Sequence, residues 1–443
     1  MEASQRIVCK FGGSSLASAE QFLKVRAIVE SDARRSVIVP SAPGKRDAKD
    51  AKITDLLYLC QHAASVDADF AAPFAQVRER FLGIERELGL DAGLAAGLDA
   101  FAGELARGCT ADYAASRGEH FSGRLLAAFL GAEFVEPAEC IVIAPNGLVD
   151  PATWPLLGAR LSDPARRYVV PGFYGRDAEG RVRTFSRGGS DVSGAIAARA
   201  AGAQLYENWT DVSGMLMADP RIVPNPRPMA EVSYAEIREL AYMGASVLHE
   251  EAMAPVREVG IPVNIRNTNE PSHRGTMIVP KLSPETEKNT QIAGVAGKTH
   301  FAMINIAKHL MNREVGFVYR LLGVLEHNDI SFEHCPSSID SVSVIVDAAS
   351  IEQQREQVLA EIRRTLEPDE LEFVPRIALI AIVGEGMSHS VGIAARIFAA
   401  LASAGVNVRL INQGASELNI IVGVELGDYE KAVRAIYGAF VPD

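Results

Sequence analysis

The sequence predicts an α/β protein, a mostly parallel sheet covered by helices, with a doubled α+β module behind it. Three observations carry the prediction. Over the first two thirds of the 443 residues, apolar runs of strand length alternate with helical patterns. Twice, a Gly-Gly-Ser turn stands where a helical pattern opens. Residues 300–346 align with 376–422 without a gap, at a shift of 76. A chain of this length implies two or three domains. Its composition, 48% hydrophobic and 23% charged, suits a globular protein with a large core.

Taken in order, the strand candidates are 6–10, 36–42, 139–144, 167–171, 203–208 and 261–266. The helix candidates include 18–31, 53–65, 73–88, 94–106, 118–130, 191–201, 233–241 and 250–258. The first strand is the apolar run Ile7-Val-Cys, ending in Lys10. Gly12-Gly-Ser-Ser15 makes the turn, and a helical pattern begins at about Ala17. Sheets built by such alternation bind ligands at the carboxyl ends of their strands. Residues 279–291 are polar and hold two prolines, which places the main domain boundary there. In the repeat beyond it, Ala302, Ile304 and Ile306 match Ala378, Ile380 and Ile382, and Val315-Gly316 matches Val391-Gly392. Each copy reads strand, helix, strand, strand. Two apolar patterns can agree by coincidence, but a glycine turn at the same place in both argues for a true pair.

Charge and composition exclude several classes. A net charge of −12 argues against nucleic-acid binding, which needs a basic surface. The five cysteines are odd in number and form no C-x-x-C pair. They read as reduced, packed thiols of a cytoplasmic protein. The first residues lack the basic and apolar regions of a signal peptide, and no apolar run approaches the roughly 20 residues of a membrane span. The nine histidines form no H-E-x-x-H and no cluster with cysteine, so no protein metal site is expected.

The chemistry gathers at a few motifs. Glycines let backbone N–H groups approach an anion, and a helix N-terminus adds partial positive charge. Lys10 with Gly12 and Gly13 therefore fits a polyphosphate, although alone it fits an ordinary strand-to-helix turn as well. The lysine precedes the glycines, so this is not a P-loop. Gly297-Lys-Thr299 lacks the earlier glycine of that motif and is set aside. The second glycine pair lies in Ser-Arg187-Gly188-Gly189-Ser190-Asp191, where Ser190 or Asp191 can cap the helix and Arg187 can grip a carboxylate with its fork. Two such turns, each beside a cation, suit a site for two anionic reactants. Asp211, at a strand end, suits a ribose hydroxyl or water around a magnesium ion, and Arg221 suits phosphate; a β-turn with Asp-Pro punctuation fits the same segment. Residues 43–55 are dense in charge and read as a loop, either closing over anionic ligands or merely solvated. Glu119 falls just inside a predicted helix, where an acid favours the dipole.

In order, these motifs resemble the aspartate kinases of the amino-acid kinase superfamily. The carriers are Lys10-Phe-Gly-Gly-Ser-Ser15, Ser-Arg-Gly-Glu119, Ser-Arg187-Gly-Gly-Ser-Asp191, Thr210-Asp211-Val, Ala218-Asp-Pro-Arg221 and Met243-Gly-Ala-Ser-Val-Leu-His249, and they cover nearly the whole chain. The resemblance implies the amino-acid-kinase fold over 1–285, followed by two ferredoxin-like ACT units, one over 299–370 and one over 292–298 plus 371–443. It implies transfer of the ATP γ-phosphoryl group to the side-chain carboxylate of L-aspartate, with Mg2+ accompanying ATP. On it, Lys10 stabilises the transferring phosphoryl group, Arg187 holds an aspartate carboxylate and Glu119 receives the substrate ammonium. Ser41 and Thr54 line the aspartate pocket, with Ser190 and Asp191 near the reacting centre. Gly12, Gly13, Ser14, Gly188 and Gly189 cradle phosphates, while Thr210, Asp211, Leu216, Arg221 and Ser246 lie along ATP. Leu216 stands where many members carry tyrosine, Ser246 where some carry lysine, and Pro40 where small or β-branched residues are usual.

The doubled ACT module resembles that of lysine-inhibited, single-function members, which implies no fused homoserine dehydrogenase. Effector contacts would fall at Met311, Ser331, Phe332, Glu333, Ser338 and Asp340, in a homodimer through the ACT units or a tetramer. Those residues also read as ordinary strand ends and turns. The competing enzyme is a superfamily member acting on glutamate, carbamate or a nucleotide. The competing non-enzyme is an amino-acid sensor with a dead kinase domain, against which Lys10, Glu119, Arg187 and Asp191 all speak.

Overall fold

The structure, a computed structural model, describes residues 5–186, 188–245 and 250–441. The chain divides into two compact units. The first runs through Met215 and takes back Met229–Tyr234 and a later segment ending at Leu282. The second takes Leu216–Pro228, a segment from Ala235, and the chain from Ser283 onward.

In the first unit the strands are, in chain order, β1 (Ile7–Phe11), β2 (Arg35–Pro40), β3 (Glu133–Phe134), β4 (Tyr168–Val169), the hairpin β5 (Tyr174–Arg176) and β6 (Val182–Thr184), β7 (Leu205–Thr210), β8 (Glu231–Ser233), β9 (Val263–Asn267) and β10 (Thr276–Val279). All but the hairpin form one eight-stranded sheet, in the order β3-β4-β2-β1-β7-β9-β10-β8. Every pairing in it is parallel except β9 with β10. β1 is buried along its whole length and lies between β2 and β7. The chain leaves β1 toward β2 on one side and returns to β7 on the other, so a crevice opens at their carboxyl ends.

Helices cover the sheet. They include α1 (Ala19–Glu30), α2 (Ile53–Ser65), α3 (Ala71–Glu87), α4 (Leu94–Arg107), α5 (Ala111–Leu130), α6 (Pro137–Cys140), α7 (Thr153–Arg160) and α8 (Gly189–Ala200). Phe22, Leu57, Phe81, Phe101 and Leu125 pack with Phe11 and Ile38 into one core. Such burial, at about 25 cal/mol per Å2, is the main stabilising term. Ser18 caps α1 by accepting from the Gln21 amide, and Thr110 caps α5 through the Tyr113 amide.

Two expectations are corrected here. Residues 139–144 are no strand: Glu136 caps a short helix with Pro137 at its start, and only isolated bridges follow at Val142 and Ile143. The helix expected at 118–130 begins at Ala111, because Thr110 supplies the cap and the Ser116-Arg-Gly118 segment is buried within the helix.

In the second unit, β11 (Gly294–Ala307), β12 (Phe332–His334), β13 (Ser341–Asp347), β14 (Glu370–Val383), β15 (Val408–Asn412) and β16 (Asn419–Glu425) form a sheet ordered β12-β13-β11-β14-β16-β15. β11 and β14 are antiparallel and 14 residues long each. Their register shifts around Lys298–Met303. Beyond the shift, β11 pairs with β13 through Phe301–Ala307, and β14 pairs with β16 through Ile377–Val383. Each copy of the repeat has its glycine, Gly316 and Gly392, in the left-handed region (φ 79° and 94°) at the start of its first helix. Only glycine adopts that turn without strain, which explains its recurrence.

Candidate active site

The carboxyl ends of β1, β2 and β7 and the start of α8 enclose a cleft of about 1270 Å3, all of it in the first unit. Lys10 sits at its floor, only 7% exposed. Parallel pairing sets Lys10 directly beside Asn208. The Lys10 ammonium lies 2.5 Å from Asp191 Oδ1 and 3.4 Å from Asn208 Oδ1. Asn208 Nδ2 donates to Asp191 Oδ1 at 2.9 Å.

The glycine turns form the walls. Gly44 N–H donates to Gly13 O at 2.8 Å. A Cβ on Gly44 would stand 2.6 Å from the Gly13 carbonyl carbon, so the two backbones touch face to face. Gly12 and Ser14 flank that contact and face the cleft. At the second turn, Gly188 adopts φ 75° and is the residue preceding α8. The capping position is Gly188, which has no side chain; Ser190 and Asp191 instead occupy the first turn, which corrects the expected capping role. Gly189 packs against the Phe173 ring, where a Cβ would come within 2.6 Å. Gly188, Gly189, Ser190 and Asp191, at the start of α8, line the cleft beside Lys10, and a helix N-terminus favours an anion there.

Glu119 enters from α5. It is the ninth residue of that helix, so the helix-dipole reading of its position fails. Gly118 draws α5 against Ala42, where a Cβ would be 2.9 Å from the Ala42 side chain. Glu119 is 5% exposed, and among the described residues its Oε2 has no hydrogen-bond partner. Burial raises its pKa to about 8, partly offset by hydrogen bonding to the Ala42 backbone. A buried acid with an orphaned oxygen in an open cleft suits a cationic ligand group. Ser41, Thr54, Ser190 and Asp211 line the same cleft. Thr210 donates to Asp211 Oδ1 at 3.2 Å.

Other expected residues are placed differently. Leu216 and Arg221 belong to the second unit. Leu216 is 37% exposed, and Arg221 grips Asp219 through Nε and Nη2 at 3.0 and 2.6 Å. Arg187 and Ser246 lie outside the described residues. Of the effector positions, Met311 is buried in the core of its own unit, and Ser331, Phe332, Ser338 and Asp340 are exposed. Asp340 accepts from the Leu310 amide at 2.9 Å, and Glu333 accepts from the Tyr242 hydroxyl.

Sequence reasoning missed Asn208, Lys45, Lys52, Arg183 and Asp112, all in or beside the cleft. Asn208 carried a signal, since it stands opposite Lys10 once the two strands are paired. The loop at 43–55 is anchored, which sets aside the merely solvated reading of it. Buried Arg80 donates to Gly44 O at 2.8 Å and pairs with Asp50, which Arg46 also binds at 3.0 Å. Arg46 and then Arg80 hold the Asp50 carboxyl well below its usual range. The loop is therefore strapped to α3, with Lys45 and Lys52 turned to the cleft.

A model of the amino acid kinase family matches residues 5–267, and an ACT domain model matches 380–440. Aspartokinase 3 of Bacillus subtilis is 40% identical over 451 residues, covering 98% of both chains. The chain belongs to the aspartate kinases of the amino acid kinase family. Other aspartate kinases agree. The crystal structure of Clostridium acetobutylicum aspartate kinase is 48% identical, with TM-score 0.90 over 99% of this chain and 100% of that one. Escherichia coli aspartokinase III is 25% identical, with TM-score 0.72 over 98% of this chain and 99% of that one in its R-state complex with aspartate and ADP. Its T-state complex with lysine and aspartate aligns equally well. Among the described residues of this aspartate kinase, no helix is long and apolar enough to cross a membrane, and no cluster of three metal-ligating side chains occurs.

Proposed function

We propose that the protein transfers the γ-phosphoryl group of ATP to the side-chain carboxylate of L-aspartate, giving 4-phospho-L-aspartate. This is the first step toward lysine (through diaminopimelate), threonine and methionine. The observation that carries the reading is the pairing of opposite features in one cleft: a buried, orphaned Glu119 carboxylate and the Lys10 ammonium beside two amide-rich turns. A zwitterionic acid and a polyphosphate need such a pair.

The chemistry is a displacement at phosphorus. A substrate carboxylate oxygen forms the new P–O bond as the bond to the ADP oxygen breaks. The acceptor is already ionised at neutral pH, so no proton is moved. Two anions must be brought together and their charge neutralised. Lys10 meets the transferring group; Gly12, Gly13, Ser14, Gly188 and Gly189 supply backbone N–H groups. Glu119 takes the substrate ammonium, Arg187 a substrate carboxylate, and Ser41, Thr54 and Ser190 shape the pocket. Thr210, Asp211, Leu216, Arg221 and Ser246 are assigned to ATP. Magnesium would enter with the nucleotide and neutralise phosphate charge; Asp211 is an oxygen ligand of the type it prefers, while Asp191 pairs with Lys10 at the reacting centre.

The reading extends to regulation and assembly. Lysine is the proposed inhibitor, acting at Met311, Ser331, Phe332, Glu333, Ser338 and Asp340. The enzyme is proposed to be cytoplasmic and to pair through its ACT units, taken as 299–370 and 292–298 plus 371–443, with 1–285 as the kinase domain. Val315, Tyr319 and Val391, 95%, 81% and 107% exposed, support an apolar contact on those units.

A hydroxamate assay with ATP and aspartate tests the activity, with glutamate, carbamate and nucleoside monophosphates as alternative acceptors. Lys10→Ala should cut turnover by about 10³-fold with the fold intact. Near wild-type activity would remove the phosphoryl role. Arg187→Ala should raise the aspartate KM far more than the ATP KM; equal effects would contradict the carboxylate assignment.

A further inference from the structure

We propose that Asn208 is a positioning residue for phosphoryl transfer: its amide keeps the Asp191 carboxylate in place while Lys10 leaves the ion pair to meet the phosphates. The inference rests on the roles given above to Lys10 and Asp191.

Lys10 and Asp191 neutralise each other at 2.5 Å. For Lys10 to serve a phosphoryl group, that pairing has to loosen. Asp191 would then lose its cation in a site where its side chain is 17% exposed. An unpaired carboxylate there would follow the ammonium or turn toward the phosphates and repel them. Asn208 supplies the missing partner. Its Nδ2 already donates to Asp191 Oδ1 at 2.9 Å, and its Oδ1 offers Lys10 an acceptor at 3.4 Å. Only this orientation of the amide satisfies both neighbours. Aspartate at 208 could not donate, and an aliphatic residue could do neither.

Asn208 is itself held rigidly. It is 3% exposed and faces Lys10 across the β1–β7 ladder. Its neighbours Glu207 and Trp209 point to the opposite side of the sheet. There Glu207 accepts from Arg35 at 2.8 and 3.0 Å, from Trp209 Nε1 at 2.9 Å and from Arg266 at 3.3 Å. That buried cluster ties β2, β7 and β9 together directly behind residue 208. On the near side, the Tyr206 hydroxyl donates to the Asp191 backbone carbonyl at 3.2 Å, fixing the first turn of α8 to the same strand. Asp191 is thus set by β7 twice, through its backbone and its side chain.

The test is a double-mutant cycle with turnover and KM as readouts. Asn208→Leu keeps the branched shape and removes both polar contacts. Its kcat should fall about tenfold while the aspartate KM stays within about twofold. In an Asp191→Ala background the same change should cost less than about twofold, because the group it positions is gone. Equal losses in both backgrounds would overturn the proposal, as would an unchanged kcat in folded Asn208→Leu. If that variant does not fold, Asn208→Ala carries the same expectations. Lys10→Ala made alongside separates the failures: an active Lys10→Ala removes the underlying roles, whereas an additive cycle removes only the positioning by Asn208.

Discussion

Glu119 is the residue whose environment says most about its task. Burial disfavours the charge and pushes its carboxyl up from an ordinary 4.5 to about 8. Between those pH values the folded chain holds a proton that the unfolded chain has released. Stability from this group is therefore full below about 4.5 and is lost as pH rises toward 8. Glu119→Gln removes that dependence. Its melting temperature should gain on the wild type by a few degrees between pH 5 and about 8; parallel curves across that range would contradict the burial argument. A substrate ammonium would take the proton's place. Aspartate binding at pH 7 should then release about one proton, measurable by calorimetry in buffers of different ionisation heat. Binding without release would remove the ammonium assignment.

At the scale of elements, the active cleft depends on backbones meeting where side chains cannot fit. Gly44→Ala would place a Cβ 2.6 Å from the Gly13 carbonyl carbon and 2.9 Å from the Ser14 nitrogen. Neither atom can yield without opening the turn. The variant should lose about 1–3 kcal/mol of stability and raise the ATP KM more than the aspartate KM. Gly83, inside α3, is the control: an added Cβ meets nothing nearer than a Glu79 carboxylate oxygen at 3.8 Å. Gly83→Ala should stabilise by about 0.5–1 kcal/mol through helix propensity. Thermal melts and KM values of the pair separate a glycine needed for close approach from one that is not. A loss in both variants, or in neither, would count against the contact between the two turns.

For the whole molecule, the question is how an amino acid bound to the ACT units would alter a reaction in the kinase domain. Such control requires two states that the effector binds unequally. Activity measured against lysine, threonine and both together should fall with lysine, and the midpoint should rise in Asp340→Ala. That carboxylate also holds the Leu310 amide, so melting of the variant is followed alongside. No response to any of the amino acids would remove the regulatory reading, and a lysine response unchanged in Asp340→Ala would remove this residue from it. Sedimentation across a concentration series tests the proposed dimer; a monomer throughout would contradict it.

The order of strands and helices was legible in the chain because alternation and period are local properties. So was the ACT pair, since its repeat includes a glycine that needs a left-handed turn. Lys10, Gly12, Gly13 and Gly188 could be singled out because a cation and glycines at strand-to-helix junctions favour anion binding, and Asp191 because an acid suits the first turn of a helix. The strand expected at 139–144 failed because Glu136 and Pro137 start a helix there, a cap that outweighs the apolar run. Asn208, Arg80 and the orphaned oxygen of Glu119 belong to another kind of information. Asn208 matters only because β1 and β7, 198 residues apart in the chain, are laid side by side. Arg80 straps a loop 36 residues earlier to its helix. Sequence by itself determined which groups were available and which turns they sit on. Tertiary structure alone decided which charges face each other at hydrogen-bond distance and which are cut off from water, because Coulomb and desolvation energies depend on separation in space, not along the chain.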